Sequence, residues 1–212
     1  VYGQAEQLPI KEEEPLKESE SPYGNTKQIC EEIIKDSCKA YNNLKAISLR
    51  YFNPIGAHPS NEIGELPIGK PQNLVPFITQ TAIGKYNELT IFGNNYSTED
   101  GTCVRDYIHV VDLAKAHIKS LEKLSGNKSI SKYDVFNIGT GKGVSVLQVI
   151  KSFEKVSNKK LNYIIGPKRK GDISQAYADT TKANIILNWK TELSLDQALL
   201  SAWEWEKKIQ EI

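Results

Sequence analysis

Short β-branched apolar runs alternate along this chain with longer stretches of helical period, and no other feature restricts the fold as much. The runs lie at 46–52, 89–92, 133–138 and 161–165. The spacing predicts helices over 21–41, 74–86, 110–124, 144–157, 180–188 and 194–212. Strands that alternate with helices pair in parallel, because each crossover needs a helix's length of chain. The expectation is therefore an α/β fold. Ser21-Pro22 supplies an N-cap and a first-turn proline for one helix. Asn73 and Pro76 can do the same for another. The charged segment 11–20 reads as a solvated loop, and 53–71 as a loop rich in Pro and Gly.

Composition excludes several classes. A chain of 212 residues makes one domain or two small ones. The formal net charge is +1, so no global field draws nucleic acid or an anionic membrane. No apolar run approaches the roughly 18 residues of a membrane span, and the expectation is no membrane partner. Cys30, Cys38 and Cys103 form no CxxC pair, and His58, His109 and His117 have no metal spacing. Reduced thiols, no metal and a cytoplasmic location are expected, since no charged-then-apolar leader precedes them. The chain contains no Met and opens Val1-Tyr2-Gly3. Either an N-terminal segment is removed or the sequence is incomplete.

At 100° per residue, Lys27 falls roughly 40° from Tyr23 on the helix that opens at Ser21. Cys30, Ile34 and Tyr41 fall within about 20° of the same line. Tyr23 and Lys27 are therefore expected on the buried stripe. An ammonium beside a phenol stabilises the phenolate, and a phenol tuned downward is a general base for a sugar hydroxyl. Spacing alone leaves a purely structural role open. A second glycine-rich word, Gly139-Thr140-Gly141-Lys142-Gly143, follows a strand and precedes a helix. Its spacing is GxGxG rather than GxGxxG, and no Ser or Thr follows the lysine. It reads as a structural tight turn.

Longer words carry more. Ser21-Pro22-Tyr23-Gly24-Asn25-Thr26-Lys27 resembles the active-site helix of the extended short-chain dehydrogenase/reductases that act on nucleotide sugars. Arg50-Tyr51-Phe52-Asn53-Pro54-Ile55-Gly56-Ala57-His58-Pro59 resembles the strand and loop after it in the UDP-glucose 4-epimerase branch. Asp100-Gly101-Thr102-Cys103-Val104-Arg105-Asp106-Tyr107-Ile108-His109-Val110 and Gly171-Asp172 match that branch too. The resemblance covers essentially the whole chain in order. It implies a remnant of a Rossmann-type parallel sheet plus a smaller α/β domain for the sugar nucleotide. Residues 1–57 would belong to the NAD-binding domain and 58–212 to the UDP-sugar domain, with 105–124 packing back on the first. The family's GxxGxxG turn and catalytic Ser or Thr would stand ahead of Val1, so the chain alone is expected to bind no NAD and to be inactive.

The resemblance further implies that Tyr23 is the acid/base and Lys27 its partner, which also holds the nicotinamide ribose. Phe52 would contact the nicotinamide end of NAD. Asn53, Asn73, Thr90, Ile91, Phe92, Arg105, Arg169 and Asp172 would line the UDP-sugar site. Ala176 would sit beside the sugar and leave room for a 2-acetamido group. The implied enzyme is an isomerase of galactose metabolism working through a 4-keto sugar, and a homodimer when full length. A dehydratase or decarboxylase of the same family, or an inactive remnant, are the competing readings.

Overall fold

The computed structural model describes residues 1–3, 5–19, 21–126, 131–169 and 171–210. Ser21 Oγ accepts from the Gly24 amide at 3.1 Å, and helix α1 runs Pro22–Ala40. Strands β1 (Ala46–Tyr51) and β2 (Asn53–Ile55) follow almost without a break. Next come α2 (Leu74–Ala82), β3 (Leu89–Phe92), β4 (Val104–Arg105), β5 (Tyr107–His109) and α3 (Val110–Ser125). The chain continues through β6 (Tyr133–Ile138), β7 (Val144–Ser145), α4 (Val146–Ser157), β8 (Tyr163–Gly166) and β9 (Gln175–Ala176). Helices α5 (Thr181–Ile186) and α6 (Leu195–Gln210) complete the order.

Parallel pairing dominates, as the alternation requires. β1 pairs with β6 from Ala46 opposite Tyr133 to Tyr51 opposite Ile138. β2 pairs with β5, β3 with β8 and β4 with β9, each in parallel. Among the described residues, only β7 runs antiparallel to its partner, β4. That strand replaces the expected first turn of the 144–157 helix. Ser145 then caps α4 in a reciprocal box with Gln148. Helix α2 stops short of its expected end, where Gly84 turns left-handed at φ +90°.

Two cores hold the elements together. Phe136 and Ile138 of β6 pack with Ile108, Leu113, Ala116 and Trp189. Ile78, Leu89, Ile91, Phe153, Leu199 and Trp203 form the other, with Phe153 edge-on to Trp203 at 5.8 Å. Each large apolar side chain buried this way contributes roughly 2–3 kcal/mol. Among the described residues, no helix is long and apolar enough to cross a membrane.

Helix α1 departs from the sequence expectation. Tyr23 is 72% exposed and Tyr41 63%, and Lys27, Cys30 and Ile34 also face outward. The face turned to the sheet carries Gln28, Glu31 and Cys38, roughly a quarter turn away. An ion pair lies on that sheet-facing side. Arg50 of β1 donates from Nε and Nη2 to the Glu31 carboxylate at 2.8 and 2.6 Å. Its guanidinium also lies 4.7 Å from the Tyr2 ring centroid. A guanidinium removed from water needs a carboxylate partner, and Glu31 meets that need from the face turned to the sheet.

A second carboxylate holds the centre. Asp106 is fully buried between β4 and β5. It accepts from the Thr140 amide at 2.8 Å, the Thr140 hydroxyl at 2.6 Å, the Gly141 amide at 3.0 Å and the Ala178 amide at 3.2 Å. The Gly139–Gly143 turn therefore wraps a carboxylate of its own chain. A Cβ at Gly139 would collide with Asp106 Oδ2, and Gly141 sits at φ +75°.

Two outcomes follow for stability. Asp106→Asn turns an amide NH₂ toward buried donors and should cost about 3 kcal/mol, read as a lower urea midpoint; an unchanged midpoint contradicts the role. His109 caps α3, its Nδ1 accepting from Val111 at 3.1 Å, and burial pushes its pKa below the ordinary 6.5. Protonation is thus easier in the unfolded chain. Stability should be full above pH 6.5 and fall as pH drops below it, and His109→Gln should flatten that fall in urea melts.

Candidate functional site

One cavity of about 450 Å³ gathers most of the residues expected to act together. Asn53 reaches it from β2, and Asn73 from the start of α2. Thr90, Ile91 and Phe92 form the β3 wall. Arg105 enters from β4, and Arg169 and Asp172 from the segment between β8 and β9. Ala176 is not part of the lining; it lies opposite Arg105 in the β4–β9 ladder. Tyr23, Lys27 and Phe52 also lie outside this wall.

Side-chain partners sort the roles. Arg105 forms an ion pair with Asp172, not with its neighbour Asp106, and its Nη1 donates to Val104 O at 2.8 Å. The other Asp172 oxygen lies 3.4 Å from Cys103 Sγ. Arg169 stacks its guanidinium over the Phe92 ring, 4.0 Å from the centroid. Asn73 stands at the N-cap position of α2 but makes no capping bond with its side chain. Its Nδ2 donates instead to Glu65 Oε1 at 2.7 Å, so the amide serves the cavity rim rather than the helix end.

The lining also holds residues that the sequence did not single out, among them Glu65, Lys70, Gln72 and Cys103. Lys70 and Gln72 lie in a Pro/Gly loop with no period to give them a face. Cys103 stands within a recognised word but was read only as a reduced thiol. Chemically, the cavity offers guanidinium and amide donors on one side and aromatic or aliphatic walls on the other. Such a lining suits an anionic ligand with a flat or hydroxylated part.

Tyr23 and Lys27 form a separate pair on the outer face of α1. The Lys27 ammonium lies 5.1 Å from the Tyr23 ring centroid. Among the described residues, the Tyr23 hydroxyl makes no hydrogen bond, so it is free to serve a ligand. The only amides of the Gly139–Gly143 turn near an anion are those given to Asp106. Among the described residues, no group of three or more His, Cys, Asp or Glu side chains could hold a metal.

A family model described as GDP-mannose 4,6 dehydratase matches residues 1–201. The chain belongs to that family. It is similar to the UDP-glucose 4-epimerase of Drosophila melanogaster, 48% identical over 98% of this chain and 59% of that protein. The UDP-glucose 4-epimerase of Bacillus subtilis is 48% identical over 97% of this chain and 60% of its own length. This family member thus spans about three-fifths of the curated relatives it matches. Among solved structures, the Stenotrophomonas maltophila UDP-glucose 4-epimerase with bound NAD and formylated UDP-arabinopyranose superposes at TM-score 0.95. It is 40% identical, over 100% of this chain and 62% of that one. The Bifidobacterium longum enzyme in complex with NAD⁺ and UDP gives 0.92 at 44% identity, over 98% and 61%. The mixed α/β fold with parallel strands matches these Rossmann-like neighbours.

Thiol accessibility checks the geometry of this family member. Cys30 is exposed, Cys38 is 1% exposed and Cys103 6%. Burial also pushes the Cys103 thiol pKa up, which lowers its thiolate fraction. Ellman's reagent should titrate one thiol rapidly in the native chain and the other two only after denaturation. Rapid modification of all three would contradict the packing around β4.

Proposed function

We propose that this chain carries the acid/base helix and the UDP-sugar pocket of a UDP-glucose 4-epimerase, an isomerase that interconverts UDP-galactose and UDP-glucose with NAD. The observation that carries the reading is the single cavity holding Asn53, Asn73, Arg105, Arg169 and Asp172 against the β3 wall. Arg169 is the donor fork for the diphosphate. Asp172 accepts from ribose hydroxyls, and Arg105 holds its carboxylate in place. The β3 wall of Thr90, Ile91 and Phe92 receives the base. Firm contacts on the nucleotide keep it bound while the sugar turns over between hydride steps.

The chain's residues fit one end of NAD. Lys27 brings an ammonium and Tyr23 an unengaged hydroxyl on neighbouring turns of α1, and Phe52 follows at the end of β1. Lys27 would donate to the nicotinamide ribose, and Phe52 would pack at the nicotinamide. Bound NAD supplies a hydride acceptor and donor. Tyr23 takes the proton of the sugar 4-hydroxyl as phenolate and returns it when the 4-keto sugar is reduced on its other face. Lys27 stabilises the phenolate electrostatically. On this reading 1–57, with 105–124, belongs to the dinucleotide half. Ile47 and Leu49 of β1 pack against the core that holds Ile108, Leu113 and Ala116, which supports grouping 105–124 with 1–57.

Ala176 carries the finer substrate reading. Ala176 stands outside the cavity lining, opposite Arg105; on this reading the sugar extends past Arg105 and a methyl at 176 leaves room for a 2-acetamido group, so UDP-GalNAc and UDP-GlcNAc are substrates as well. A complete enzyme bearing this sequence should convert both UDP-galactose and UDP-GalNAc, and Ala176→Tyr should abolish the second conversion only. Loss of both, or of neither, contradicts the role of Ala176. Tyr23→Phe should lower turnover by about 10²–10⁴-fold and leave UDP affinity unchanged in calorimetry. Unchanged turnover would overturn the acid/base assignment.

A further inference from the structure

The charge arithmetic of the cavity leaves a diphosphate short of cations. Two carboxylates line it, Glu65 and Asp172, together with the guanidinium groups of Arg105 and Arg169. Asp172 neutralises Arg105. Glu65 is spent on an amide, the Asn73 side chain, so its charge stays uncompensated by any cation it touches. Those four groups sum to zero. A neutral lining gains little from a dianion that must leave water to enter it.

Lys70 changes the sum. It stands near the end of the Pro/Gly loop, ahead of α2, and it lines the same cavity. Its ammonium lies 5.1 Å from the Phe77 ring centroid and 5.9 Å from that of Tyr86, and those two rings meet edge to face at 5.1 Å. Among the described residues, Lys70 makes no ion pair. The two rings hold an exposed side chain at the rim without neutralising it. Arg169 is held in the same manner over Phe92. The cavity thus presents two cations stacked on aromatic faces, with their N–H donors left for a ligand.

We infer that Lys70 is a phosphate-binding residue of this pocket, sharing the diphosphate of a nucleoside diphosphate sugar with Arg169. The inference rests on the reading of the cavity as a UDP-sugar site. It adds a contact that sets preference for a diphosphate over a monophosphate, because two separated cations suit two phosphoryl groups.

Titration of the chain with UDP, UMP and uridine, by calorimetry at low and high salt, tests it. Lys70→Gln should weaken UDP binding about tenfold, the size of one charge-assisted hydrogen bond, and reduce its salt dependence. Uridine binding should not change. Lys70→Arg should restore most of the affinity. Lys70 is exposed, so the urea midpoint of Lys70→Gln should match that of the unsubstituted chain. If the unsubstituted chain binds UDP and Lys70→Gln binds it equally well at both salt concentrations, the assignment is overturned and the UDP-sugar reading stands. Equal loss of UDP and uridine affinity also overturns it, by pointing to pocket shape instead of charge. No UDP binding by the unsubstituted chain overturns both.

Discussion

Four hydrogen bonds converge on the buried Asp106 carboxylate, and the placement of the pocket depends on them. They tie the end of β6 and the backbone leaving β9 to the junction of β4 and β5. The Asp106 main chain adds a further tie, since its carbonyl accepts from the Asn53 amide at 2.9 Å. Asn53 and Arg105 both project into the cavity, and both are positioned from this one residue. A buried carboxylate is tolerated only when donors surround it. Here three of the four donors come from the glycine turn, so its Thr140 and Gly141 amides already serve a carboxylate of the chain itself. Its anion is already built in.

A second carboxylate, that of Glu31, lies under α1 and is held by a cation. The Arg50–Glu31 fork lies on the sheet side of α1, while Tyr23 and Lys27 point outward. The proposed acid/base role is consistent with this arrangement: the Tyr23 hydroxyl and the Lys27 ammonium stand together on adjacent turns. Pocket and helix use opposite strategies. Arg105 is tied to a carboxylate, whereas Arg169 and Lys70 rest on aromatic faces and keep their charge for a ligand.

Much of the architecture was legible in the residues. Ser21-Pro22 marked the start of α1, and the 133–138 run marked β6 to the residue. Strands β4, β5 and β9 were not, because two or three residues carry no period. The face of α1 differs from the expectation because a hydrophobic stripe assumes apolar burial, whereas the side turned to the sheet carries Gln28, Cys38 and the Glu31 partner of Arg50. The words around Arg105 and Asp172 located the pocket. Lys70 stayed hidden because its role comes from the rings of Phe77 and Tyr86, brought to it only by folding. Asn73 was ambiguous until its amide was seen to turn to Glu65.

The central claim is that one cavity, bounded by β3, the start of α2 and the Arg105–Asp172 pair, takes a UDP-sugar. A crystal structure of the chain grown with UDP tests it most directly. The account predicts the uracil against the Thr90-Ile91-Phe92 wall and the diphosphate at Arg169. Clear density for UDP elsewhere on the surface, with this cavity filled only by solvent, would contradict it.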